Sequence, residues 1–147
     1  MLDSLITSKT RLRMLIKFFI NTTNKGYLNG LATEFNESTN SIRKELNNLS
    51  SAGYLLKSKS NNRVIYNANK KHPLFNVLQK VIKQHLGIDE IITTILEKLG
   101  NVKCVAIIGD YARGIDSGTI NVVLLGDRID VSYLKDIIQK IEKKITR

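Results

Sequence analysis

Only one cysteine and two histidines stand among these 147 residues. Cys104 alone cannot close an internal disulfide, and with only His72 and His85 beside it there is no thiolate cluster for zinc; neither a metal nor a cofactor is expected. Long apolar runs are missing too. The stretch around Leu15 to Ile20 is interrupted by Lys17, far short of the roughly 18 to 20 uncharged residues of a membrane span. No charged segment followed by an apolar core and a small-residue cleavage site opens the chain, so the expected location is the cytoplasm and no membrane partner is expected. Carboxylates are scarce in the first half. Residues 1–86 hold 14 Lys and Arg against 4 Asp and Glu, whereas residues 87–147 hold 9 of each, so the net charge of +10 belongs entirely to the first segment. A basic segment of that size is the footprint of a polyanion partner, because each Lys or Arg set on a phosphate releases condensed counterions. A merely solubilising surface is the alternative. An anionic membrane fits less well, since no long helix pairs a basic face with an aromatic one.

What is present reads as a soluble α+β chain, with 42% hydrophobic and 24% charged residues, enough for one ordinary core or two small ones. Ser8 to Asn21 places Leu12, Leu15, Ile16, Phe19 and Ile20 at helical spacing, with Arg11, Arg13 and Lys17 opposite. Leu28 to Phe35 gives a short second helix. Asn36 and Glu37 turn the chain, and Ser38 or Thr39 caps a third helix that runs to about Ser51. Ile42, Leu46 and Leu49 must face the core there, which leaves Asn40, Arg43, Lys44 and Asn47 outward with Ser41 beside them. Gly53 fits a left-handed helix end, Tyr54 to Lys59 a strand, Ser60 to Asn62 a turn, and Arg63 to Asn67 a returning strand. Three helices followed by a basic hairpin make a winged helix-turn-helix, against the alternative of a helical bundle with a solvated face. Asn, Ser, Arg and Lys on the third helix can bond phosphates and base edges in a major groove of double-stranded DNA, while Lys57, Lys59 and Arg63 on the wing reach the adjacent backbone.

Residues 10–73, above all "GLATEFNESTNSIRKELNNLSSAGYL", "RVIYNANKKHP" and "TRLRMLIKFF", resemble the ArsR-like winged-helix transcriptional regulators, and within them those fused to a nucleotidyltransferase-like domain. The resemblance implies DNA-reading positions at Ser38, Thr39, Asn40, Ser41, Arg43, Lys44 and Asn47, together with the wing.

Beyond the wing, Leu74 to Leu86 is amphipathic through Leu74, Val77, Leu78, Val81, Ile82 and Leu86, and Gly87 breaks it. Such a helix either pairs with a twofold mate or packs on its own chain. Asp89 to Leu99 reads as another helix and Val102 to Ile108 as an apolar strand, in which Cys104 is expected to be a small core hydrophobe. "GDYARG", the strand Ile120 to Leu125 and an amphipathic helix from Ser132 to Ile145 resemble the core of a minimal nucleotidyltransferase. That family carries Gly-Ser, then "YARG" or similar, then Asp-x-Asp on the next strand. Aligned on "YARG", Gly109 keeps the glycine, Asp110 stands on the phosphate-binding serine, and Thr119 and Asn121 stand on the two metal-binding aspartates. Two neutral residues remove the carboxylates on which magnesium depends. Asp110 adds a like charge where a triphosphate would lie, at a cost of roughly 1 to 4 kcal/mol at about 4 Å. Arg113 is expected to tie the loop down, and Asp116 to be an exposed turn carboxylate.

The expectation is therefore a two-part protein. Residues 1–86 form a DNA-binding winged helix, and residues 87–147 a degenerate, truncated nucleotidyltransferase-like α/β domain. It acts as a transcriptional regulator and not as an enzyme, with the second part a scaffold, dimer contact or partner surface. Two other readings stand beside it: a nucleotidyltransferase that uses its winged helix to reach a substrate, and a switch gated by a nucleotide or other small molecule. A homodimer is expected, through Leu74 to Leu86 and Ser132 to Ile145.

Overall fold

The computed structural model describes residues 2–145. A turn of 3-10 helix, Leu2–Ser4, leads to Ser8, whose hydroxyl accepts the Arg11 backbone N–H at 3.2 Å and so caps α1 (Lys9–Phe19). Leu12, Leu15, Ile16 and Phe19 are buried as their spacing requires, but Met14 and Phe18 are fully buried as well. The helix is therefore central, in contact with several of the elements that follow it. β1 (Lys25–Gly26) follows, then α2 (Leu28–Phe35), which ends on Asn36 in the left-handed region at φ 53°. α3 (Thr39–Ser51) starts where Ser38 accepts the Ser41 N–H at 3.2 Å, and buries Ile42, Leu46 and Leu49. Gly53, at φ 82°, closes it, with the Tyr54 N–H returning to the Leu49 carbonyl.

β2 (Leu55–Ser60) and β3 (Arg63–Ala68) are joined by Asn61 and Asn62, at φ 50° and 62°. Two successive left-handed residues match the right-handed twist of a two-residue hairpin, which favours asparagine at both places. β1 pairs with β3, Gly26 opposite Tyr66, so the sheet order is β1-β3-β2. Helix, strand, helix, helix and hairpin make this part of the α+β chain a winged helix. The two-residue strand β1 is an addition to the elements expected from sequence.

α4 (Phe75–Leu86) lies on α1, with Phe75, Ile82 and Leu86 buried; the rings of Phe75 and Phe19 are 5.5 Å apart. The apolar side of this helix is thus largely covered within its own chain, and only Leu74 and Val77 remain exposed. Gly87, at φ 76°, ends α4 and directly starts α5 (Ile88–Lys98). β4 (Val102–Ile108) and β5 (Asn121–Gly126) form an antiparallel pair, and α6 (Val131–Ile145) follows, its first N–H groups taken by Asp130.

Two apolar clusters hold these elements. The smaller is made by α5 and α6, through Ile91, Ile95, Leu99, Ile137 and Ile141, against one face of the β4–β5 sheet. The other face is open. Cys104, Ala106, Val123 and Leu125 lie on it and are exposed. This corrects the expectation of a core cysteine: apolar residues occupy both faces of β4, and the helices cover only the face bearing Val105 and Ile107. The larger cluster gathers buried residues between Leu2 and Ile88 and one more, Tyr111, from the loop after β4. Among the described residues no helix is long and apolar enough to cross a membrane.

Candidate nucleic-acid interface

The disposition of charge around α1 decides which cations are free. Arg11 Nε donates to Glu45 Oε2 at 2.9 Å, Arg13 Nη1 to Glu37 Oε1 at 3.0 Å, and Lys17 Nζ to Glu34 Oε1 at 2.8 Å. Lys17 and Glu45 are buried. The basic side of α1, expected on the opposite face from the core, is instead turned onto α2, α3 and the turn between them, because their carboxylates stand across from it. Three of the four carboxylates of residues 1–86 are used in this way.

The cations of α3 and the wing have no such partners. Arg43, Lys44, Lys57, Lys59 and Arg63 are exposed, and none forms an ion pair among the described residues. Thr39, Asn40, Ser41 and Asn47 are exposed on the same helix. Arg43 Nη1 donates to Asn40 Oδ1 at 3.1 Å, which ties two of the expected base-reading side chains together. Ser38 is engaged in capping, its hydroxyl 3.0 Å from that of Ser41, so these two hydroxyls serve the helix start first. On the wing, Lys57 is directly opposite Tyr66, its Nζ 5.9 Å from the ring centroid, and Lys59 is opposite Val64. Lys57 and Lys59 therefore project from one face of the hairpin, since residues two apart on a strand share a face. Arg63 lies over the ring of Tyr27, its Cζ 4.4 Å from the centroid. Tyr27 had no sequence signal beyond being an aromatic residue before a helix.

The positions aligned on the nucleotidyltransferase motif are divided. Gly109, at φ 70°, faces Asn121 across the hairpin, where a Cβ would lie 2.7 Å from the asparagine Nδ2. Asp110 is paired with Arg113, and the Arg113 N–H bonds the Gly109 and Asp110 carbonyls at 3.2 and 3.0 Å. The Ser117 hydroxyl and then the Arg113 guanidinium hold the Asp110 carboxyl below the usual aspartate range. Thr119 and Asn121 also line a groove of about 380 Å³ walled by Ile91, Ile95, Leu134 and Ile138.

The centre of the motif points elsewhere. Tyr111 is fully buried in the larger cluster and its hydroxyl donates to Asp116. The Asn21 and Asn24 side-chain amides both donate to the Ala112 carbonyl, at 3.0 and 3.4 Å, and Gly114 rests on the Lys17 backbone so closely that a Cβ would collide with it. The loop thus seats the β4–β5 unit on α1, a role that its resemblance to a phosphate-binding motif did not suggest.

No family model matches the chain, and no curated protein matches it. Among solved structures the chain is similar to Sso10a-2, a DNA-binding protein from Sulfolobus solfataricus. The two are 20% identical with a TM-score of 0.41, over 62% of this chain and 90% of that one.

Proposed function

We propose that this chain is a DNA-binding transcriptional regulator, in which residues 1–86 hold double-stranded DNA and residues 87–147 are a catalytically inactive, nucleotidyltransferase-like scaffold. The observation that carries the reading is the set of five exposed cations on α3 and the wing, while three of the four carboxylates of the same half are engaged on α1. A surface that only kept the chain in solution would have no reason to segregate its charge so. Inactivity follows from Thr119 and Asn121, neutral where the family holds metal with carboxylates, and from Asp110, whose negative charge Arg113 keeps in place.

The protein acts as a homodimer in this reading, but through the open face of the β4–β5 sheet and not through α4. Cys104, Ala106, Val123 and Leu125 offer an uncharged face in the electrically balanced half, where two copies approach without the mutual repulsion of their basic halves.

Fluorescence anisotropy with duplex DNA at several salt concentrations tests the DNA-binding role. Neutralising Lys57, Lys59 and Arg63 together should weaken all duplexes alike and lower the log-log salt slope by roughly 0.9 for each phosphate that is no longer neutralised. Alanine at Asn40, Arg43, Lys44 or Asn47 should include at least one case that costs about 1 to 3 kcal/mol on a preferred site and little on random DNA. Absence of duplex binding at low salt removes the functional reading and leaves the fold.

A further inference from the structure

A groove of about 340 Å³ separates the start of α2 from α3 and the wing. Arg43 enters it from α3 and Arg63 from the first residue of β3, with Tyr27, Asn29, Asn47 and Asn62 between them, and no carboxylate lines it. Two cations from separate elements, amide side chains and no anion suit a phosphodiester, which takes planar N–H donors on its unesterified oxygens. Resting on the DNA-binding reading, we propose that this groove seats one backbone phosphate of the duplex, and that Tyr27 is a positioning residue which holds Arg63 for it.

The means of positioning is visible in the geometry around the tyrosine ring. Tyr27 lies across the first turn of α2 because Gly30 is bare there: a Cβ at that position would meet ring carbons at 2.8 and 2.9 Å. Arg63 then lies over the ring, its Cζ 4.4 Å from the centroid. A guanidinium held over a ring by its face keeps its in-plane donors available, and the Arg63 side chain forms no hydrogen bond or ion pair among the described residues. Asn61 and Asn62, both in the left-handed region, fix the turn that delivers Arg63 to this platform. An arginine at the tip of a free hairpin would lose its rotamer freedom on binding; one already resting on Tyr27 loses less.

The test uses the full chain and random-sequence duplex DNA in anisotropy titrations. Y27L and R63A should each weaken binding, roughly 3- to 10-fold for removal of a cation–aromatic platform, equally for all sequences. The double variant should be little worse than R63A alone, because Tyr27 acts only through Arg63. Y27F keeps the ring and should bind as the unmodified protein does. Thermal denaturation checks that Y27L is folded. If it is not, Y27F and R63A with R63K carry the test, since R63K keeps the charge without the planar fork and should still bind more weakly. Three outcomes overturn the proposal: Y27L binding undiminished, Y27L and R63A losses that multiply independently, or R63K binding undiminished. Absence of all duplex binding in the unmodified protein would overturn the DNA-binding reading instead, and this proposal with it.

Discussion

Tyr111→Ala asks whether the loop after β4 is a structural plug. The side chain is fully buried in the larger cluster, against which Ile107 and Ile120 also pack. Truncating a buried aromatic residue to alanine costs about 3 to 5 kcal/mol, the spread reflecting how far the site collapses. That is a large part of the roughly 5 to 15 kcal/mol that holds a domain folded. At about 2 to 4 °C per kcal/mol for a chain of this size, the melting temperature should fall by roughly 10 °C. Tyr111→Phe keeps the ring and removes only the bond to Asp116, so its cost should be about 1 to 2 kcal/mol. Gly114→Ala attacks the same seat from outside, since φ 78° and the Lys17 backbone both oppose a side chain. It should approach the alanine variant at 111 although it removes no apolar atom. Urea denaturation followed by circular dichroism measures all three. A Tyr111→Ala loss under about 1 kcal/mol, or a harmless Gly114→Ala, would refute the assignment of this loop as a filler of the larger core.

Light scattering should report about twice the 16.6 kDa of one chain, and mild oxidation should link two copies through Cys104; a monomer at tens of micromolar that resists linking would sink the sheet-face dimer. Labelled nucleoside triphosphates with magnesium or manganese should leave no label on the protein or on added RNA, and metal-dependent labelling abolished by Asp110→Ala would reverse the pseudoenzyme reading. Because Ser117 and Arg113 lower the Asp110 pKa, its folded carboxylate is favoured above the unfolded aspartate range near 3.9, and the support it lends the loop fades as pH falls through the lower folded value. A carboxyl titration by NMR with an ordinary Asp110 midpoint would contradict this.

Much of the winged helix is legible in sequence because its signals are local. Ile42, Leu46 and Leu49 repeat at helical spacing, Ser38 caps one end of α3, Gly53 turns the other, and two asparagines mark the hairpin. The failures share one cause, a partner distant in sequence. Lys17 looks solvent-facing until Glu34 is brought beside it, and Tyr27 gains a role only when the wing folds back with Arg63. Cys104 sits in a strand with apolar residues on both sides, so alternation does not tell which face the helices cover. β1, at two residues, is too short to leave a pattern. Among the candidate residues, the face of α3 and the wing lysines are exposed where their spacing sets them, whereas the "YARG" loop conceals in a familiar motif a contact with α1.

The burial of Tyr111 has a consequence for the order in which the protein is made. A chain emerging from the ribosome completes α1 to α4 before residue 111 appears, and until then the pocket that the tyrosine fills is open to water. Asn21 and Asn24 likewise wait for a carbonyl 91 and 88 residues further on. The nascent winged helix is therefore unfinished while most of its length is already outside, and is sealed only when β4 has followed. A fragment cut at residue 86 would preserve that unfinished state permanently, with an exposed apolar socket that invites aggregation, so the smallest well-behaved winged-helix piece extends at least through Asp116.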